Sequence, residues 1–244
     1  MFKILIPCSG DKHSNLDNLC KSIDNQIGDF NVECFFLEDQ ISENFRSKLE
    51  KLCGSSSNKF LVENFHGRRL YGLFNICRFL NDLGKSDEES ESIIGIIDCD
   101  DFLWGNDCFK NIKDEYDNDF DIVWTANELE GIGVNFSAPL NEALDVYKHA
   151  WVSSHFKTFK LKHYLSVNQK NFLDENGEWF TACYDQALML PIIHNAINSG
   201  GKTKYIDKVH YIYHGDLNPD EGSNYRQAQL NNESFIRSRG YINE

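Results

Sequence analysis

The chain has 244 residues, 41% of them hydrophobic and 13% aromatic, which supplies material for a sizeable core and excludes a disordered polypeptide. With 24 Lys and Arg against 38 Asp and Glu the net charge is −14, so a general grip on nucleic acid, which depends on cations neutralising phosphates, is not expected outside a local basic patch. Eight cysteines occur without a C-x-x-C pair, which argues against a zinc ribbon or thioredoxin-like site and predicts free thiols in a reducing, cytoplasmic setting.

Taken in chain order, Lys3–Ile6 reads as a short buried strand stopped by Pro7 and the polar Ser9-Gly10-Asp11. That stop comes too early for a secretory signal, and no apolar run approaches the roughly 20 residues of a membrane span. Leu16–Ile27 has helical spacing, Val32–Leu37 is a second strand ending in Glu38-Asp39, Phe45–Leu52 is helical and Phe60–Val62 is a short strand. Leu70–Leu83 is an amphipathic helix, followed by an acidic loop over Gly84–Glu91, a central strand over Ile93–Ile97 and another over Asp121–Thr125. Alternating helices and near-continuous apolar strands predict an α/β fold with a mostly parallel sheet covered on both faces. Beyond this, Gly131–Pro139 is a loop, His149–Leu165 and Asp185–Asn198 read as helices, Tyr205–Tyr213 as a strand and Tyr225–Arg237 as a terminal helix. The expected organisation is one domain, with a nucleotide-binding half over 1–125, an acceptor-binding half over 126–220 and a helical tail over 221–244.

The central strand ends in Asp98, Asp100 and Asp101. Three close carboxylates raise one another's pKa unless a cation compensates, and oxygen ligands favour Mg²⁺ or Mn²⁺ over zinc. Ligands of parallel α/β sheets sit beyond the carboxyl ends of the strands, which is where these acids fall. A solvated acidic turn is the plain alternative, but the buried strand before it and the apolar residues after it favour a divalent-cation site.

A strand ending in D-x-D-D resembles the family 2 glycosyltransferases, whose GT-A fold carries such a motif. Other segments agree in order: Pro7 closing the first strand, Glu38-Asp39 closing the second, and His66-Gly67-Arg68-Arg69 with Asn75. So do Ser154–Lys160, Tyr184–Pro191 and Val209–His214 with Asn218-Pro219. The resemblance implies transfer of a sugar from a nucleoside-diphosphate sugar, expected to be UDP-linked, to a hydroxyl of a glycan, lipid, protein or hydroxylated DNA base. It also implies Mn²⁺ or Mg²⁺ as cofactor, with Asp98, Asp100 and His214 as metal ligands and Asp98 also able to hold the ribose. Pro7, Ser9, Glu38 and Asp39 are expected at the nucleoside, and Arg68, His155 and Lys157 at the diphosphate or an anionic acceptor. Asp185 matches the position of the family's catalytic base, which implies inversion. Trp179 and Phe180 are candidates for stacking on a sugar or base.

Each assignment has a structural alternative. Glu38-Asp39 can be an exposed strand end, Asp185 an N-cap, and His155, Lys157 and Lys160 a solvated helix face extended by Lys162, His163 and Lys170. At the level of function the alternatives are a two-metal phosphohydrolase or nuclease using the same acids, and a domain that binds nucleotide sugar without turnover.

Overall fold

The computed structural model describes residues 1–10, 15–63, 68–215 and 223–243, with the backbone only at 223 and 224. Eight strands form one sheet: β1 (Phe2–Gly10), β2 (Val32–Ile41), β3 (Lys59–Val62), β4 (Ile93–Ile96), β5 (Phe102–Leu103), β6 (Ile122–Leu129), β7 (Lys157–Lys160) and β8 (Thr203–Tyr213). The helices are α1 (Leu16–Asp24), α2 (Glu43–Gly54), α3 (Tyr71–Leu83), α4 (Cys108–Asp117), α5 (Leu161–Leu165), α6 (Tyr184–Asn198) and α7 (Ser223–Arg239). The spatial order is β3-β2-β1-β4-β7-β6-β8-β5. β3, β2, β1 and β4 run parallel, as do β6 and β8, while β7 lies antiparallel between β4 and β6 and β5 is antiparallel at the β8 edge.

Strand alternation divides the core in two. Phe2, Ile4, Ile6 and Cys8 of β1, with Cys34 and Phe36 of β2, pack against Leu16 and Leu19 of α1, Phe45 and Leu49 of α2, and Phe109 and Ile112 of α4. Leu5, Leu37, Ile94, Ile96 and Trp124 face the other way, onto Leu73, Ile76 and Leu80 of α3 and the apolar run of α6. Helices therefore cover both faces. At the centre of the sheet Gly95 admits a neighbour: a Cβ there would lie 2.6 Å from Phe156 Cζ and 2.9 Å from Ile4 Cδ1.

The expected helix over 149–165 is corrected. Residues 157–160 are strand β7 and only Leu161–Leu165 is helical. Because β7 is interior, both its faces are buried: Phe156 enters one core cluster and Phe159 the other. Three of its four residues, Lys157, Thr158 and Lys160, are polar and meet Asp185, Tyr116 and Asp121, so no apolar run marks the strand, while His155 and Phe159 mimic helical i, i+4 spacing. The solvated helix face that was the alternative for these basic residues is absent among the described residues. Lys157 is 1% exposed, and Lys160, Lys162 and His163 gather on Asp121. All eight cysteines are free thiols, as expected. Among the described residues, no helix is long and apolar enough to cross a membrane.

Candidate active site

The carboxyl ends of β1, β2 and β4 meet the N-termini of α3 and α6 and the end of β8 at one edge of the sheet. Register places Ser9 beside Asp39 and Cys8 beside Glu38, so the first two strands end together. Gly72 in the first turn of α3 lies against Pro7 and the ring of Tyr184, its virtual Cβ 3.8 Å from each. The two acids near the end of β2 diverge, as strand alternation requires. Glu38 turns to Arg46 of α2. Asp39, 2% exposed, accepts from the amides of Leu70 and Tyr71 at 2.7 and 2.9 Å and so holds the entry of α3. Arg68 is exposed at that entry, and Arg69 lies over the Tyr71 ring at 4.8 Å. Three non-glycine residues at this edge, Gln40, Tyr71 and Cys183, have φ of 53°, 63° and 60°, a left-handed conformation that concentrates at functional sites.

The Asp98–Asp101 segment is a tight turn, closed by the Asp101 amide on the Asp98 carbonyl at 3.0 Å. Cys99 points into the core, its Sγ 3.3 Å from Cys8 Sγ, and the Asp100 carbonyl accepts from Asn15 at 2.8 Å. The Tyr184 hydroxyl donates to Asp98 Oδ1. The Tyr211 hydroxyl donates to Asp101 Oδ2 at 2.5 Å and accepts from the Asp98 amide at 3.2 Å. The amide of His214 donates to Asp101 Oδ1 at 2.7 Å, while its ring pairs with Glu130 at 2.5 Å. His155 stacks on the rings of Tyr211 and Tyr213, with centroids 4.7 and 5.2 Å away.

These contacts bring Asp98, Asp101 and His155 together: one ligand atom from each lies within 4.8 Å of the others. His155 Nδ1 is buried and has no hydrogen-bond partner among the described residues. Burial, then the Lys157 ammonium, pushes the His155 pKa down to about 3, so its ring is neutral at physiological pH. Burial and the Asp185 charge push Asp98 up to about 6, against the pull of Lys157 and Tyr184. Burial, then Asp98 and Asp100, raises Asp101 well above the usual carboxylate range. Two carboxylates with raised pKa beside a neutral imidazole fit a divalent cation, which compensates both carboxylates at once. The grouping contains Asp101 and His155, where sequence reasoning named Asp100 and His214 beside Asp98.

Asp185 occupies the first turn of α6 but is not its N-cap; that position is Cys183. Its Oδ1 pairs with the ammonium of Lys157, from β7. Trp179 meets Phe74 edge-on at 5.4 Å, and Phe180 is buried beneath Arg239 at 5.7 Å, so both have packing partners. His66, Gly67, Asn218 and Pro219 lie outside the described residues. Sequence reasoning missed Tyr184 and Tyr211, whose hydroxyls organise the acids. Nothing in a strand-like or helix-like run marks a tyrosine for such a role.

No protein-family model and no curated protein sequence matches the chain. Solved structures do. Staphylococcus aureus TarS 1-349 in complex with UDP-GlcNAc superposes with a TM-score of 0.61 at 14% identity, over 92% of this chain and 61% of that one. The same TarS segment in complex with UDP gives 0.59 at 15% identity, over 88% and 60%. The mannosyltransferase PcManGT from Pyrobaculum calidifontis, in complex with GDP-Man and Mn²⁺, gives 0.55 at 14% identity, over 96% and 61%. The chain thus spans 60 to 61% of the length of these three. The architecture is the GT-A glycosyltransferase fold, an α/β sheet with helices on both faces.

Proposed function

We propose that the protein is a metal-dependent glycosyltransferase that carries a sugar from a nucleoside-diphosphate sugar, with UDP-sugars the first to test, to an acceptor hydroxyl. The observation that carries this reading is the convergence of Asp98, Asp101 and the neutral ring of His155 at the carboxyl edge of a GT-A sheet. Solved proteins of similar fold bind UDP-GlcNAc, UDP, or GDP-Man with Mn²⁺.

Asp98, Asp101 and His155 would hold the cation, and an imidazole in the set favours Mn²⁺ over Mg²⁺. Asp100, from the same turn, and His214, tied to Asp101 through its amide, are the next candidates. When bound, the ion supplies Lewis-acid compensation of the charge that develops on a departing diphosphate. Pro7, Ser9 and Asp39 would line the nucleoside, with Glu38 behind them and Arg68 toward the phosphates. Asp185 would accept the proton of the attacking hydroxyl, and a base separate from the leaving group gives inversion.

A panel of nucleotide sugars, read by thermal stabilisation and by release of nucleoside diphosphate with and without Mn²⁺, tests this. Stabilisation and turnover by at least one donor, dependent on the metal, are expected. Donor binding indifferent to metal, binding without turnover on any acceptor, or hydrolysis of simple phosphate esters without sugar selectivity overturns it.

A further inference from the structure

Lys157 carries a buried ammonium at this edge and is 1% exposed. It stands on the strand that runs antiparallel between β4 and β6, opposite Trp124 and opposite Ile96, which precedes Asp98 by two residues. Its ammonium bonds Asp185 Oδ1 and the Ser154 carbonyl, the latter at 3.2 Å, and lies 5.5 Å from the centre of the Tyr184 ring. Tyr184 in turn donates to Asp98. One buried cation therefore grips both residues that open α6, and these reach the acid turn and the solvent edge respectively. The residue before them, Cys183, has φ of 60°, so the entry of α6 is held in a conformation that needs such support.

Stability alone is a poor account of this lysine. A buried ion pair is commonly replaceable by apolar residues without loss, because desolvating two charges offsets their attraction. The geometry has a different use. Asp185 is 29% exposed while Lys157 is 1% exposed, so the carboxylate is anchored on its protein side and open on the other.

We infer that Lys157 is the positioning residue for Asp185: it fixes one carboxylate oxygen so that the other meets the acceptor hydroxyl in a single orientation. The inference rests on the reading of Asp185 as the base. A base swung out of line by about an ångström loses rate while substrate affinity stays, because the defect is in alignment.

The test compares Lys157→Met and Lys157→Arg with wild type in kcat, donor KM and the crystallographic position of Asp185 in the metal-free protein. Lys157→Met lowers kcat by about 10²-fold with donor KM within about threefold, and its Asp185 side chain leaves the wild-type position. Lys157→Arg recovers part of the lost kcat. Should Lys157→Met not fold, Lys157→Gln, which keeps a donor for the Ser154 carbonyl, gives the same reading. An active wild type with a folded Met or Gln variant of equal kcat, or with Asp185 unmoved in that variant, overturns this inference alone. A wild type that turns over no donor overturns the functional proposal and this inference with it.

Discussion

Tyr211 and Asp101 are 110 residues apart in the chain and joined by a 2.5 Å hydrogen bond, buried on both sides. The same tyrosine carries His155 on its ring face and takes the Asp98 amide on its oxygen, so one side chain touches all three members of the candidate cation site. Partners of this kind orient metal ligands, and their loss typically costs 10- to 100-fold in affinity. Tyr211→Phe keeps the stacking surface and removes the hydroxyl. Mn²⁺ affinity, followed by thermal shift or isothermal titration, falls about 10-fold or more, and stability drops by about 1–3 kcal/mol because Asp101 loses a buried partner. Wild-type Mn²⁺ affinity in this variant removes Tyr211 from the site.

Asp185 gives a second prediction. Asp185→Asn keeps the shape and removes the charge that accepts a proton. Transfer falls by about 10²-fold or more, while Mn²⁺-dependent donor binding, read by thermal shift, persists. The variant also melts lower, because the buried ammonium of Lys157 is left facing an uncharged amide. Near-normal turnover excludes Asp185 as the base.

The close approach at Gly95 predicts a stability effect without a functional one. Gly95→Ala drives its methyl into Phe156 Cζ and Ile4 Cδ1, both in a filled core. Overpacking of this kind costs about 1–3 kcal/mol. A urea midpoint unchanged from wild type would show that the ring of Phe156 yields freely, and Gly95→Ala combined with Phe156→Leu recovers stability.

Asp121 supplies the pH dependence. Burial alone would raise its pKa, yet the His163 ring at 3.2 Å and hydrogen bonds from Lys160 and the Lys202 amide hold it down to about 2, from an ordinary value of 3.8. The unfolded chain therefore binds more protons between these values, so the contribution is full above about pH 4 and is lost as pH falls through about 2. Its size, once solvent screening of a partly exposed group is allowed for, is on the order of 1–2 kcal/mol. Asp121→Asn destabilises the protein at pH 7, and its difference from wild type narrows as pH approaches 2. A difference that stays constant from pH 7 to 2 refutes the assignment.

Local chemistry alone specified a good deal. The segments 3–6, 32–37 and 93–97 read as strands from their mainly apolar residues, and helical spacing marked α1, α2, α3 and α6. Three carboxylates closing the central strand pointed to a cation because a buried strand precedes them and apolar residues follow. These features live in contiguous residues, where period, burial and like-charge repulsion are readable from neighbours.

Tertiary structure decided which of those groups act together. β7 stayed hidden because three of its four residues, Lys157, Thr158 and Lys160, are polar and their partners lie on distant segments. Lys157, expected at a diphosphate or an anionic acceptor with a solvated helix face as the alternative, became a buried partner of Asp185 once that strand was inserted in the sheet. The choice of Asp101 and His155 beside Asp98 depended on Tyr211, on the stack under the imidazole, and on the reach of the Asp98–Asp101 turn. Charges and hydrogen-bond donors are present in a sequence, but their partners are set by distance in the folded chain, and no local pattern encodes a contact between residues 101 and 211.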